Sequence, residues 1–292
     1  MDRNDRVFFM PDGTNIEYSI SGSGSKLLWI HGSNQLGSVY DGLIEYLARR
    51  YTVLSMSRRG WGNSGSKGLD YSMDTECSDV MEFMKAFSIE SICGEDFGAV
   101  IALHVAMRTP VARMVLLNPY LTSLRKLGWL PKFTRQVRKN DYFGAMATYV
   151  KATKNNSVFL PSFFLKFIFK HSSFSIDRDK QMVAKMLDCG DSEYNKRNRS
   201  NIESEEWKQR KRMLKNTADE LRAAQGSEQE LEGLDGLTTR TLLIRERDGE
   251  PFVRDAVSLL ATVLRQCEGI EASSTSRMFS RISDFLTEWG VR

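Results

Sequence analysis

The chain has 292 residues, 41% of them hydrophobic, which suits one large α/β domain with an insertion or two small domains. Its net charge of +4 is too small to mark a nucleic-acid surface, and Cys77, Cys93, Cys189 and Cys267 lack CxxC or Cys/His spacing, so they read as inert thiols and not as disulfides or metal ligands. No apolar run reaches the roughly 18 residues of a membrane span, and MDRNDR has no apolar leader segment, so a cytoplasmic location is expected.

In chain order, 6–10 (RVFFM) and 15–20 (NIEYSI) flank Pro11-Asp12-Gly13 and read as a hairpin. The apolar run 26–30 (KLLWI) is a buried strand, 38–50 a helix ending in two arginines, and 51–56 (YTVLSM) a strand. Helix 72–87, strand 88–93, helix 99–108 and strand 112–117 follow. This alternation predicts a parallel sheet with right-handed crossovers. It stops at Asn118-Pro119, and about 119–235 shows helical periodicity only. Strand 239–244, helix 251–266, a short strand near 269–272 and helix 276–289 close the chain. The expectation is an α/β core with an all-helical insertion.

Gly94-Glu95-Asp96-Phe97-Gly98 lies between a strand and a helix, in the pattern G-x-D-x-G. A sharp strand-to-helix turn forces its central residue into a strained conformation and needs small neighbours, which the two glycines supply. The central side chain then projects over the carboxyl edge of the sheet, where open α/β sheets bind ligands. The helix N-terminus behind it would hold Asp96 ionised. The alternative is a plain helix N-cap.

At this motif the chain resembles the α/β-hydrolase superfamily, most closely the branch of epoxide hydrolases and haloalkane dehalogenases, whose elbow carries aspartate. Leu28-Trp29-Ile30-His31-Gly32-Ser33 is similar to the strand and His-Gly loop that supply part of the oxyanion hole. Ser57-Arg58-Arg59-Gly60-Trp61-Gly62-Asn63-Ser64 resembles the family's D-R-R-G-x-G-x-S loop, with Ser57 where aspartate is usual. Val115-Leu116-Leu117-Asn118-Pro119 resembles the strand leading into the cap, and Leu242–Asp248 the strand and loop that present the triad acid. The resemblance spans about 1–120 and 236–292. It implies the α/β-hydrolase fold: a mostly parallel central sheet flanked by helices, with core 1–118 and 236–292 and helical cap 119–235. It also implies that the N–H groups of Ser33 and Phe97 form the oxyanion hole, that Asp96 is nucleophile or general acid/base, and that Asp248 is its acid partner. Two carboxylates in proximity would raise the pKa of one of them.

The family carries its triad histidine after the last strand. Here Glu268–Phe279 contains none, and the whole chain has three: His31 in the oxyanion loop, His104 mid-helix as a packed residue, and His171 after a Phe-rich stretch. A carboxylate that attacks carbon forms an alkyl ester, and a base must activate water to release it. Without that base the ester accumulates. The leading reading is therefore an atypical enzyme performing proton-transfer chemistry (cyclisation, isomerisation or a lyase step, as in specialised metabolism) on a mainly apolar small molecule. One alternative is an epoxide hydrolase or dehalogenase with a relocated base such as His171; another is a non-catalytic binder of small molecules.

In the insertion, 157–174 is rich in phenylalanine. It reads as a packed helix face, as the lid of an apolar pocket or as a membrane-surface lid. His31, Phe163, Phe167 and His171 are the candidate substrate-binding residues. Trp129, Tyr142 and Tyr149 are unranked pocket candidates, and 205–224 reads as a solvated helix with charge pairs. No dinucleotide fingerprint, P-loop or metal-ligand cluster is present, so no cofactor is expected. The expected partner is a small apolar or amphipathic substrate, not nucleic acid, and a homodimer is compatible with the sequence.

Overall fold

The apolar runs become the inner strands of one sheet. In a computed structural model describing residues 6–33, 41–124, 127–153, 165–166, 205–247 and 250–287, the strands are Arg6–Phe9 (β1), Asn15–Ser21 (β2), Ser25–Ile30 (β3), Tyr51–Met56 (β4), Ser91–Glu95 (β5), Arg113–Leu117 (β6), Arg240–Glu246 (β7) and Cys267–Ala272 (β8). Their order is β1-β2-β4-β3-β5-β6-β7-β8. β1 and β2, and β2 and β4, pair antiparallel; every other pair is parallel. After β4 the chain crosses to the far side of β3 to lay down β5. The strand order therefore reverses between β3 and β5, and such a reversal opens a crevice at the strands' carboxyl ends.

The helices among the described residues are Asp41–Leu47 (α1), Met73–Phe87 (α2), Phe97–Ala106 (α3), Leu130–Arg138 (α4), Tyr142–Thr153 (α5), Glu205–Ser227 (α6), Pro251–Val263 (α7) and Thr275–Thr287 (α8). The chain divides into two compact units, 1–125 with 222–292, and 126–221. In the first, Leu27, Trp29, Val53, Cys93, Val115, Leu117, Leu242 and Ile244 point to one sheet face. There they form a core with Leu43 and Leu47 of α1 and Met278, Ile282, Phe285 and Leu286 of α8. The alternate residues Leu28, Ile30, Leu54, Ile92, Met114, Leu116 and Leu243 are equally buried on the other face. Burial on both faces is why these strands read as unbroken apolar runs.

Among the boundaries that differ from the sequence expectation, two belong to β5 and α3, the elements that frame the turn. β5 starts at Ser91, not 88, because Ser88 takes a left-handed conformation (φ 52°) that ends α2. α3 starts at Phe97, not 99, because the turn before it is a single residue.

In the second unit, Trp129 packs edge-on against Phe133 and Tyr149, and the last two are almost fully buried. Phe133 and Tyr149 are thus core residues of the helical unit. The stretch 205–224 is not a fully solvated helix. α6 buries Met213, Leu214, Thr217, Ala218, Leu221 and Ala224, a stripe at three- and four-residue spacing that its many charges masked.

α3 is buried on every side, and His104 is its only titratable residue. Ser227, at the end of α6, lies 3.2 Å from its Nε2. Desolvation, with Arg108 acting the same way, lowers the His104 pKa to about 4. An unfolded chain protonates histidine near pH 6.5 and so binds the extra proton first. Stability carried by neutral His104 is complete above pH 6.5 and is lost as pH falls toward 4, a change on the order of 3 kcal/mol. In urea titrations, the wild type is expected to lose stability over that window faster than His104→Gln. Parallel pH profiles for the two proteins would count against this origin.

Candidate active site

β5 ends at Glu95 and α3 begins at Phe97, so Asp96 alone makes the turn, at φ 51° and ψ −116°. That region costs a non-glycine residue about 1–3 kcal/mol. Its surroundings hold it there. The Asp96 N–H donates to the Leu117 carbonyl (2.9 Å), and its own carbonyl accepts from Ala99 (3.1 Å) and Val100 (3.3 Å). A Cβ on Gly94 would lie 2.3 Å from the Gly98 carbonyl oxygen. One on Gly98 would lie 2.2 Å from that of Ile30. The glycines therefore let the elbow close against β3. Asp96 makes no side-chain cap hydrogen bond to α3, so the plain N-cap alternative does not describe it.

The loop after β3 runs beside the elbow. A Cβ on Gly32 would sit 2.8 Å from Asp96 Cβ and 3.0 Å from Glu95 Oε2. The Gly32 N–H donates to that same Glu95 oxygen (3.2 Å). The elbow thus brings the Glu95 carboxylate and the Asp96 Cβ to one glycine. Sequence reading passed over Glu95, although an acidic residue inside the motif and next to Asp96 was a visible signal. The His31 ring is engaged within the loop. Its Nε2 accepts from the Arg58 N–H (3.1 Å), which leaves Nδ1 to carry the proton and donate to the Gly32 carbonyl (2.7 Å). This arrangement fixes a neutral tautomer with no ring lone pair left to activate water.

Arg58 holds the loop from behind. It is fully buried, donates to the His31 and Gly32 carbonyls (3.0 Å each) and pairs with Glu76 of α2 (2.7 Å). Its guanidinium lies 5.0 Å from the Phe97 ring centre, so one cation joins loop, elbow and α2. The Tyr71 hydroxyl also donates to Glu76 (2.5 Å). Arg59 forms a fork to Asp79 (2.5 and 2.7 Å) and reaches Asp12 (2.8 Å). Those carboxylates push the Arg59 pKa up, and Arg59 in turn lowers Asp12 to about 2. Burial raises Asp79 against the opposing pull of Arg59. Where the family resemblance puts an aspartate, Ser57 is accompanied by Glu17 of β2, which accepts from the Asn63 N–H (2.9 Å), the Asn63 side chain (2.5 Å) and the Ser57 hydroxyl (3.4 Å). A carboxylate from the next strand thus bonds the same turn.

Asp96, Phe97, His31 and Ser33 therefore lie on two adjoining strand ends, with Ser33 as the last described residue of its loop. Asp248, Phe163, Phe167 and His171 lie outside the described residues. The strand before Asp248 is held by Asn118, whose side-chain oxygen accepts the Glu246 N–H (3.0 Å). β8 leads into α8 through residues 273 and 274 alone, and Glu271 at that end pairs with Arg245 and Arg247. Behind the elbow, complete burial pushes the Cys93 thiol up, so it is not a nucleophile. Among the described residues, no cluster of three His, Cys, Asp or Glu could hold a metal, and no helix is long and apolar enough to cross a membrane.

The comparisons with known proteins agree with this architecture. A model described as the alpha/beta hydrolase family matches residues 27–263. An alpha/beta hydrolase from Sphaerobacter thermophilus superposes with a TM-score of 0.69 at 16% identity, over 97% of this chain and 100% of that one. An enol-lactonase from Burkholderia xenovorans gives 0.66 at 16% identity, over 97% and 100%. At such identity these likenesses show the fold alone. Uncharacterized proteins of Mycobacterium bovis and Mycobacterium tuberculosis are 30% identical over 105 residues, 35% of this chain. That match spans 31% of the length of these curated relatives.

Two stability measurements follow from the geometry. Asp96→Gly relieves the strain, partly offset by a more flexible unfolded chain, and is expected to raise stability by about 1 kcal/mol. A lower melting temperature for the glycine variant would mean that Asp96 is not strained. Glu76→Ala leaves Arg58 buried without its carboxylate and is expected to cost about 3 kcal/mol. A cost below ~1 kcal/mol in urea unfolding would show that Arg58 does not depend on this pair.

Proposed function

Because the chain belongs to the alpha/beta hydrolase family, we propose that it is an enzyme in which Asp96 moves protons on a mainly apolar small molecule, in a cyclisation, isomerisation or lyase step. The observation that carries this reading is the pairing of a strained carboxylate with an imidazole already committed elsewhere. Asp96 is kept at a costly φ by surrounding backbone, and such strain is commonly retained where a side chain must be presented for chemistry. His31 has both ring nitrogens engaged. The stretch 268–279 has no histidine, and His104 is buried against Ser227. A covalent ester on Asp96 would thus lack a described base to open it, whereas proton transfer needs no such step.

In this reading the Phe97 and Ser33 N–H groups stabilise the oxyanion that develops when a proton leaves a carbon next to a carbonyl. The helix N-terminus behind Phe97 adds partial positive charge at the same place. Glu95 accepts the Gly32 N–H and so positions the oxyanion loop beside Asp96. Asp248 would act as the acid partner, as the resemblance implies.

Two experiments test the proposal. With panels of epoxides and haloalkanes, the protein is expected to form at most one equivalent of an Asp96 ester, seen as a mass adduct, without repeated turnover. Many turnovers with heavy oxygen from labelled water in the product would instead identify a hydrolase with a relocated base. With carbonyl compounds bearing acidic C–H bonds in heavy water, deuterium is expected to enter the product. Asp96→Asn is expected to slow that exchange at least ~100-fold while shifting the melting temperature by less than about 3 °C. Undiminished exchange in this variant would reject Asp96 as the acid/base.

A further inference from the structure

The helical unit carries a second feature that the proposed chemistry does not use. Lys208, Lys211, Arg212 and Lys215 follow one another at i, i+3, i+4 and i+7 along α6 and therefore share one face. Arg210, Met213, Leu214 and Thr217 are buried on another face of the same helix. With Asn140 and Tyr142, the four cations line an open groove of about 450 Å³. Side chains at this spacing are neighbours on a helix surface, so the groove concentrates positive charge.

The floor of the groove supplies donors too. The Lys211 ammonium lies 6.0 Å from the Tyr142 ring centre. The Tyr142 hydroxyl donates to Asn140 Oδ1 (2.7 Å), which leaves the Asn140 amide hydrogens as donors. The neighbouring acid, Asp141, is engaged by Lys166 (2.8 Å) and the Gly144 N–H (3.1 Å). None of the described residues that line the groove is acidic. Seven residues of helix span about 10 Å, so the cations are spread over a length that one compact monoanion does not fill. An arginine fork beside point-like ammonium groups is the donor set that suits phosphoryl oxygens.

We propose that this groove binds a phosphate ester carrying two or more phosphoryl charges. Such groups occur on soluble small molecules and on lipid headgroups, and the experiment separates these sources. Calorimetric titration of the full chain at low salt, with pyrophosphate and inorganic phosphate as probes, is expected to show pyrophosphate binding at least tenfold more tightly. Rising salt should weaken it, as for any multiply charged contact. In the double variant Lys211→Gln, Lys215→Gln the affinity is expected to fall at least tenfold with unchanged thermal unfolding. Because Arg212 is exposed, Arg212→Lys is a second, structurally mild probe that should lose affinity while keeping the charge. Phosphatidylcholine vesicles with and without a phosphoinositide bisphosphate form the other arm. Binding to the phosphoinositide vesicles without pyrophosphate binding supports the proposal and assigns the charge to a headgroup. Absence of binding in both arms, or affinity unchanged in the glutamine variant, overturns it.

Discussion

Backbone contact without side chains between two neighbouring strand ends is the constraint on which the rest of the site depends. Gly32, Gly94 and Gly98 each leave a space that a Cβ would overfill, against Asp96, Gly98 and Ile30 respectively. Because β3 and β5 are adjacent and parallel, the loop after one and the turn after the other come together at one edge. Closing that contact leaves Asp96 as the one residue linking strand to helix, and it takes up the strain. The position of the carboxylate is thus a consequence of what three glycines lack.

A fixed carboxylate needs a fixed partner loop, and buried charge supplies it. Arg58 is deep enough that losing one partner would expose the full desolvation cost of its guanidinium. Its bonds reach both carbonyls of the His31-Gly32 pair, so the ion pair with Glu76 acts as a positional device more than as net stabilisation. Glu17 shows the same logic by a different route. It bonds the Gly62-Asn63 turn from a neighbouring strand, and a Cβ on Gly62 would strike its carboxylate at 2.3 Å. The aspartate usual at position 57 in the resembling family is therefore replaced by geometry from elsewhere in the sheet.

The chemistry proposed for this site follows from how its donors and acceptors are spent. The His31 imidazole serves the loop, and the His104 imidazole sits in a helix interior at a pKa of about 4. The Glu95 carboxylate and the Cβ of Asp96 lie against Gly32. Among the described residues, neither imidazole is placed to activate water at Asp96, which is why the proposed chemistry is proton transfer and not release of an ester.

The sequence by itself determined the strand-helix alternation, the elbow and the lack of a histidine after the last strand. Apolar runs, paired glycines and residue identity are local properties that a chain displays before it folds. The reading of α6 as solvated failed because charges on one face hid a regular apolar stripe on the other. Only the tertiary structure decided that Glu95 meets Gly32, that Arg58 ties the loop to α2, that Glu17 supports the Ser57 turn and that His31 is spent. Each of these joins residues 18 to 63 positions apart. Such pairings are set by strand order and register, which no local pattern encodes.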